Sequence, residues 1–192
     1  MRTSQYSRET KETEIMATVN LDGRGVAEVN TEIVFFNHLI RTLATHSLID
    51  IKVNAKGDLK HHVVEDLAIC LGIALNKAFG EERLGIKRFG YAIVPMDDTL
   101  AIAAIDLVKR PYSRIELKIA DDRIEDMATE DIIHFLETLA SSIQCTIHVL
   151  AQYGFNNHHK AEAIFKALAL ALREAATLST ERGKAPSAKG TM

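Results

Sequence analysis

Apolar and polar positions follow a helical period in four segments of the chain and a strand-like pattern in shorter runs between them. Two of these runs, residues 49–53 and 145–150, are rich in β-forming residues, and each is followed by a loop that contains glycine. The pattern predicts the order helix, strand, loop, helix, and it predicts that order twice.

Further strands are predicted before the first helix of each half. Residues 14–20 and 25–31 flank Asp22-Gly23, a turn signal that predicts a β-hairpin between them. In the second half, strand-like composition is found in residues 89–94, 99–107 and 112–119. The predicted fold class is α+β, with internally duplicated, β-hairpin-led halves. Each half is a small mixed sheet with two helices, and the helices pack between the two sheets.

The repeat also predicts how the chain is divided. We expect residues 1–84 to form the first half, residues 85–178 the second half, and residues 179–192 a polar C-terminal tail with glycine and proline. A half of this size leaves the outer faces of its helices poorly covered, so we expect pairing of halves or subunits to bury them.

Composition narrows the class of protein. Of 192 residues, 47% are apolar, which is enough for a real core, and the formal charge of −3 comes from interspersed acids and bases. The absence of a basic stripe argues against nucleic acid, and the absence of a long apolar run argues against a membrane span. We expect a cytoplasmic protein, with Cys70 and Cys145 as buried, reduced thiols.

The most informative motif is a repeated pentad, His-His-x-x-Glu. It occurs as His61-His62-Val63-Val64-Glu65 and again, 97 residues later, as His158-His159-Lys160-Ala161-Glu162. The glutamate lies on the same helical face as the first histidine of its pentad, which makes the two a natural chelating couple. A helix advances about 100° per residue, so the second histidine of each pentad points elsewhere. One ion cannot easily bind both neighbours.

A third histidine is repeated as well, because His38 and His134 precede similar helical sequences with an offset of 96 residues. If a pseudo-twofold axis relates the halves, ligands combine across it into two equivalent sites. The predicted sets are His38, His62, His158 with Glu162, and His61, His134, His159 with Glu65. Nitrogen and oxygen ligands without sulfur suit Mn²⁺, Fe²⁺, Co²⁺ or Zn²⁺.

A structural interpretation of the pentads stays open. Acidic residues early in a helix interact favourably with the helix dipole, so a duplicated helix start would retain Glu65 and Asp66 with no metal. That interpretation explains the carboxylates but not three repeated histidines.

These motifs, with others in the same order along the chain, resemble the imidazoleglycerol-phosphate dehydratase family from Thr10 to Met192. The further motifs are Lys11-Glu12-Thr13, Phe35-Phe36-Asn37-His38-Leu39, Arg88-Phe89-Gly90, Pro95-Met96-Asp97-Asp98, Arg110-Pro111, Phe165-Lys166 and Ser187-Ala188-Lys189-Gly190. Asn37 stands where the family has aspartate, which removes a possible acceptor for a neighbouring histidine. The resemblance implies duplicated halves and two Mn²⁺ ions per active site, with other divalent ions possible. It also implies a 24-subunit homo-oligomer with active sites between subunits.

The resemblance further implies dehydration of D-erythro-imidazole-glycerol phosphate to imidazole-acetol phosphate in histidine biosynthesis, through an imidazolate bridged by two metal ions. Glu12 is the implied general acid/base, and His61 and His62 act with it in catalysis. The residues implied to bind the phosphorylated imidazole substrate are Glu12, His46, Arg88, Arg110, Lys166, Ser187 and Lys189 of the tail.

Two other functions remain open from the sequence. A non-catalytic metal-binding oligomeric assembly would use the same ligands to join subunits. A metal-dependent hydrolase or isomerase on another small phosphate ester would use the same cations. The cationic residues favour an enzyme over a structural metal site, because a structural site has no use for phosphate ligands.

Overall fold

The computed structural model describes residues 1–81, 83–179 and 187. The first half consists of strands β1 (Thr3–Glu9), β2 (Thr13–Asn20) and β3 (Ala27–Asn30), helix α1 (Val34–Ser47), strand β4 (Asp50–Gly57) and helix α2 (Lys60–Phe79). The second half consists of strands β5 (Phe89–Met96), β6 (Thr99–Asp106), β7 (Tyr112–Glu116), β8 (Arg123–Ile124) and β9 (Met127–Ala128), helix α3 (Thr129–Ile143), strand β10 (Thr146–Tyr153) and helix α4 (Asn157–Ala176).

The two large sheets have the same topology. Their strand orders are β1-β2-β4-β3 and β5-β6-β10-β7. In both, the first two pairs are antiparallel and the last pair is parallel. Helices α1 and α3 hold corresponding positions, and both end at a left-handed residue, Leu48 and Gln144. The predicted α+β class, with duplicated mixed sheets and two helices in each half, is confirmed.

The hairpin predicted around Asp22-Gly23 is wrong. Strand β2 forms its hairpin with β1, and β3 instead lies parallel to β4, on the other side of it from β2. The turn fails because Asp50 captures the connecting loop: its Oδ1 accepts hydrogen bonds from the backbone N–H groups of Arg24 (2.8 Å) and Val26 (2.9 Å). These bonds lead the chain across the end of β4 instead of back along β2.

Strand β1 was not predicted because its sequence carries no alternating apolar signal. It is an edge strand with mostly exposed side chains, and its order comes from pairing with β2 from Thr3 opposite Asn20 to Glu9 opposite Glu14. The β-hairpin-led description of the first half therefore holds with a different pair of strands. The short hairpin of β8 and β9 was also not predicted.

The helices lie between the two sheets and pair across the halves. Helix α1 contacts α4, and α2 contacts α3. The two pairs meet in a core where the ring of Phe135 lies edge-on to Phe36 (centroids 5.0 Å apart) and stacks on Phe165 (5.9 Å). All three side chains are buried, and each contributes about 1.5–3 kcal/mol through burial alone. The core thus fixes the helices of one half against those of the other.

The connection between the halves is anchored by a buried arginine. Arg83 donates from Nη1 to the carbonyl of Gln144 (3.0 Å) and from Nη2 to Asn76 Oδ1 (2.8 Å) and the carbonyl of Ile143. These bonds satisfy carbonyls at the end of α3 that have no partner within the helix.

Among the described residues, no helix combines the length and the apolar character needed to cross a bilayer.

Both cysteines are free and buried, as predicted. Burial raises the pKa of the Cys70 thiol to about 11 and that of Cys145 to about 12. Because the thiolate is the reactive form, we expect neither thiol to react with Ellman's reagent at pH 8 in the native protein. In guanidinium chloride both should react. Rapid reaction of the native protein would contradict the buried positions.

Gly72 permits the close contact of α2 with α3. A Cβ at this position would overlap the Cβ of Ser142 and approach the N of Ile143 and the O of Leu139 to 3.2 Å each. We expect Gly72→Ala to lower the free energy of unfolding by about 1–3 kcal/mol, measured by denaturant unfolding followed by circular dichroism. The same substitution should cost less in a Ser142→Gly background, because that removes the overlapping atom. An equal cost in both backgrounds would show that the contact is not the cause.

Candidate active site

One group of potential metal ligands joins α1 to α4. The first cluster consists of His38, His158 and Glu162. Oε2 of Glu162 lies 3.2 Å from Nε2 of His38 and 3.4 Å from Nε2 of His158. His158 and Glu162 are one helical turn apart in the pentad, and His38 comes from the other half of the chain.

The corresponding group joins α2 to α3. The second cluster consists of His61, Glu65 and His134. Oε1 of Glu65 lies 3.5 Å from Nε2 of His134, and the His61 and His134 rings stack with centroids 5.2 Å apart. Each predicted set is thus represented by three of its four members, in the crossed combination that the pseudo-twofold axis requires.

The two clusters fit a divalent cation. Within each, one ligand atom per residue lies within 4.8 Å of the others. The Nε2 atoms of His38 and His134 are buried, and the carboxylate oxygens beside them, at 3.2 and 3.5 Å, are not aligned for a hydrogen bond, so neither nitrogen has such a partner among the described residues. A buried nitrogen without a partner is costly, and a cation shared with the neighbouring carboxylate would satisfy it. The donors are nitrogen and oxygen only, which suits Mn²⁺ and related ions.

The fourth member of each predicted set lies outside its cluster within this chain. Nδ1 of His62 donates to Asp58 Oδ1 (2.8 Å), and this hydrogen bond raises the pKa of His62. Nδ1 of His159 donates to Asp98 Oδ1 (2.6 Å), and that bond is the largest of several that lower the pKa of Asp98. Both histidines are held by carboxylates in orientations directed away from the clusters, as the helical spacing predicts.

Local interactions determine where α4 begins. The side chain of Asn156 caps the helix, with Oδ1 accepting from the backbone N–H groups of His158 (2.9 Å) and His159 (3.2 Å). This cap puts the whole pentad in the first turns of the helix, where His158 and Glu162 share one face. Leu59, the residue that precedes α2, provides no such cap.

Several carboxylates beside the histidines were not identified from the sequence. Asp131 is the most buried of them, and its Oδ1 accepts a hydrogen bond from Nδ1 of His61 at 2.7 Å. That bond fixes the ring so that Nε2 carries the lone pair available to an ion. The only signal in the sequence was that Asp131 lies three residues before His134 on the predicted helix. Acidic residues are common at such positions, so the sequence did not identify Asp131 as a partner of His61.

Two of the residues implied to bind substrate lie beside the first cluster. Nζ of Lys166 is 2.9 Å from Oε1 of Glu162, one turn along α4. Burial and the charge of Lys166 lower the pKa of His46, which places that ring in the same neighbourhood. For Glu162 itself, burial raises the pKa, but Lys166 and His38 outweigh it and the net pKa is lowered. Glu162 is therefore ionised at neutral pH, as a metal ligand must be.

Glu12 lies in the turn between β1 and β2 and is exposed. Its Oε2 is 3.8 Å from Nδ1 of His62. The structure thus brings together Glu12 and His62, two of the residues that the resemblance assigned to catalysis. Neither is a member of the two clusters.

The arginines implied to bind phosphate lie far from the clusters in this chain. Arg88 forms a bidentate pair with Asp106 (2.6 and 2.9 Å), and its backbone N–H donates to the carbonyl of Ala175 near the end of α4. His158 lies at the start of α4. With a helix rise of 1.5 Å per residue, it is roughly 25 Å from Ala175. Arg110 is exposed. It lies close in sequence to Leu107, whose backbone N–H donates to the carbonyl of Arg88, so this segment lies beside Arg88 and not beside the clusters.

Of the tail residues, Ser187 is half-buried and Lys189 lies outside the described residues. In the described part of the chain, the Asn37 side chain is not hydrogen-bonded to His38. Instead its Oδ1 accepts from the N–H (3.0 Å) and the hydroxyl (2.8 Å) of Thr31, which fixes the entry into α1. An amide oxygen serves that purpose as well as a carboxylate does.

Comparison with known proteins connects this geometry to one family. The family model described as imidazoleglycerol-phosphate dehydratase matches residues 31–172. Proteins named imidazoleglycerol-phosphate dehydratase from Methanothermobacter thermautotrophicus and Dehalococcoides mccartyi are each 47% identical to the chain. Both alignments cover 100% of this chain, with 98% of the first relative and 97% of the second.

Solved structures give the same result. The structure of imidazoleglycerol-phosphate dehydratase from Staphylococcus aureus superposes with a TM-score of 0.84 at 29% identity, covering 92% of this chain and 99% of that one. The structure from Pyrococcus furiosus also has a TM-score of 0.84, at 35% identity, covering 97% of this chain and 100% of that one. The chain therefore belongs to the imidazoleglycerol-phosphate dehydratase family, the hydro-lyases of histidine biosynthesis.

Proposed function

We propose that this chain catalyses the dehydration of D-erythro-imidazole-glycerol phosphate to imidazole-acetol phosphate with divalent cations at the two clusters. The observation that carries the proposal is the pair of buried histidine nitrogens, on His38 and His134, each without a hydrogen-bond partner in the described structure and each beside a carboxylate. Two such groups, related by the internal repeat, are hard to explain by packing alone.

The cations we propose are Mn²⁺, two per active site, with other divalent ions able to replace them. His38, His158 and Glu162 would hold one ion, and His61, Glu65 and His134 the other. When bound, the ions would supply Lewis acidity that stabilises negative charge on the imidazole ring of the substrate during loss of the hydroxyl. A six-coordinate ion held by the three donors of a cluster would retain open positions for substrate.

We propose that the complete active site forms between copies of this chain. Each cluster has three donors, while His62 and His159 are directed away from both. Arg88 is roughly 25 Å from His158 along α4, too far for one small substrate to touch both. A homo-oligomer, proposed to be the 24-subunit shell, would bring the fourth histidine and the arginines of neighbouring chains to each cluster.

The side chains near the clusters suit the required proton movements. The reaction expels the hydroxyl from the carbon attached to the imidazole and removes a proton from the adjacent carbon, so that water leaves and an enol remains, which becomes the ketone. Glu12, exposed and 3.8 Å from His62, is the proposed general acid/base. Lys166 and His46 lie beside the first cluster, where a positive charge can attract an anionic substrate.

For the phosphate we propose Arg88, Arg110, Ser187 and Lys189. Asp106 holds the Arg88 guanidinium in a bidentate pair, which leaves the group oriented before substrate arrives. The three cationic members of this set distinguish the dehydratase from the non-catalytic metal-binding assembly, which needs only the clusters. A cytoplasmic location is proposed with the biosynthetic function.

The proposal predicts a metal-dependent activity. Purified protein with Mn²⁺ should convert imidazole-glycerol phosphate to the enolisable ketone, followed by absorbance of the enol in alkali. His61→Ala or Glu162→Ala should lower kcat/KM by about 10³-fold, because a Lewis-acid ion contributes several kcal/mol and each 1.36 kcal/mol is tenfold. Treatment with EDTA should abolish activity, and added Mn²⁺ should restore it.

Two results would contradict this prediction in different ways. Inactivity of protein that elemental analysis shows to hold its ions would favour the non-catalytic assembly. Full activity after removal of all divalent ions would exclude the metal-dependent mechanism. Glu130→Ala is a suitable control variant, because Glu130 is exposed in the first turn of α3 and not part of either cluster.

Asp131 should tune the second cluster through His61. Asp131→Ala removes the acceptor of the 2.7 Å hydrogen bond from His61 Nδ1, so the ring loses its fixed orientation. We expect Mn²⁺ affinity to fall about 10- to 100-fold, the usual effect of losing such a partner, measured by calorimetric titration. Glu130→Ala, the neighbouring substitution of the same charge, should leave affinity unchanged. Equal losses in both variants would point to a general charge effect.

A further inference from the structure

The two halves differ in the segment that leads into their first helix. In the first half three residues, 31–33, connect β3 to α1, whereas in the second half twelve residues, 117–128, connect β7 to α3. The longer connection forms the hairpin of β8 and β9, with Glu125 and Asp126 at its turn. Glu125 has a left-handed backbone conformation (φ 53°). The repeat therefore carries one element in the second half that the first half lacks.

Asp126 of this turn reaches across to the first half. Its Oδ2 accepts a hydrogen bond from the N–H of Val34 (2.8 Å) and its Oδ1 from the N–H of Phe35 (2.9 Å). These are the first two residues of α1, whose own preceding residue, Ile33, provides no side-chain cap. Asp126, which is distant in sequence, thus provides the N-terminal cap of α1 that Ile33 does not.

The charge of Asp126 suits this role. Burial raises the pKa of its carboxyl, but the hydrogen bonds from Phe35 and Val34 outweigh burial, and the net pKa is lowered. An ionised carboxylate at a helix N-terminus binds the free N–H groups more strongly than a neutral acceptor does. His38 follows on the next turn of the same helix, so its position depends on where α1 begins.

Glu125, the neighbouring residue of the turn, contacts His158, the other histidine of the first cluster. Nδ1 of His158 donates to Oε1 of Glu125 at 3.2 Å. With the proton on Nδ1, the lone pair of the ring lies on Nε2, the atom that faces Glu162 at 3.4 Å. Two consecutive residues of one turn therefore contact the start of the helix that carries His38 and the ring of His158.

The hairpin is itself firmly held. Ile124 and Met127, on either side of the turn, are buried with 5% and 1% of their surface exposed. Asp121, earlier in the connection, accepts a hydrogen bond from the side chain of Asn157 at the start of α4 (2.7 Å). The turn is thus held by the core and by α4 in addition to its contact with α1.

We propose that the β8–β9 hairpin is a clamp that positions His38 through Asp126 and His158 through Glu125, and so raises the cation affinity of the first cluster selectively. The proposal rests on the proposed function, in which both clusters hold divalent cations. Asp126 and Glu125 act as positioning residues and do not bind the ion. The second cluster has a different positioning carboxylate, Asp131, so the two proposed cation sites are controlled separately although they arose by duplication.

One contact of the turn involves the helix of the second cluster. Nζ of Lys60 donates to the backbone carbonyl of Asp126 (2.8 Å) and lies 3.8 Å from its carboxylate. The stronger of these contacts uses the main chain and survives replacement of the Asp126 side chain. Selectivity for the first cluster therefore follows from the side chains and can be tested by replacing them.

The test measures each cluster separately. In a His61→Ala background the first cluster keeps all its ligands, and in a His38→Ala background the second keeps all of its own. Mn²⁺ binding to the full chain is titrated by electron paramagnetic resonance in both backgrounds. Adding Asp126→Ala should weaken binding about 10- to 100-fold in the His61→Ala background and leave it unchanged in the His38→Ala background. Glu125→Ala should act in the same direction.

Matched variants separate the clamp from general effects. Asp122→Ala removes the same charge from the same connection, and the Asp122 side chain is exposed, so affinity should stay at the level of the background protein. Asp126→Asn retains one oxygen acceptor for the helix N-terminus and should give a smaller loss than Asp126→Ala. Circular dichroism of each variant checks that the fold is retained.

The outcomes distinguish the clamp from the function on which it rests. Unchanged Mn²⁺ affinity in folded Asp126→Ala and Glu125→Ala proteins, or equal losses at both clusters, would overturn the clamp alone. Absence of Mn²⁺ binding in the unsubstituted protein would overturn the proposed metal function and the clamp with it. If Asp126→Ala does not fold, Asp126→Asn and Glu125→Ala decide the question by the same site-selective comparison.

Discussion

The structure depends on the packing of helices across the two halves. Helix α1 lies against α4 and α2 against α3, so every candidate metal cluster takes donors from both halves. Gly72 leaves room for the close α2–α3 contact, and aromatic rings fill the centre of the core. Neither half by itself contains a complete cluster. The hydrophobic core and the candidate site are therefore consequences of the same packing.

Carboxylates beside the histidines turn this packing into a chemically defined site. Asp131 orients His61, Glu125 orients His158, and Asp98 and Asp58 hold His159 and His62 away from the clusters of their own chain. The ligands repeat between the halves, but these partners do not: Asp131 lies in α3 and Glu125 in the β8–β9 turn, both in the second half. The duplication preserved the groups that we propose to bind ions, and the surrounding carboxylates diverged. Separate adjustment of the two proposed cation sites would be the physical result.

The sequence predicted the architecture better than the strand pairing. Repeated helical periods and β-rich runs were enough for the α+β class and for the order helix, strand, loop, helix, because both signals are local. The hairpin at Asp22-Gly23 was wrong because the Asp50 carboxylate, distant in sequence, binds the loop. Strand β1 was missed because an exposed edge strand needs no apolar alternation and is ordered by its neighbour.

From the repeated motifs alone, the sequence identified the residues that we propose to carry the chemistry. The repeated pentad gave the couples His61 with Glu65 and His158 with Glu162, since residues four apart share a helical face. The repeat also paired His38 and His134 with the opposite halves, as the two clusters show. Three features became visible in the folded chain alone: His62 and His159 lie outside those clusters, Arg88 lies at the far end of α4, and a particular carboxylate orients each ring. Those features depend on contacts between segments far apart in the chain, and no local pattern records such contacts.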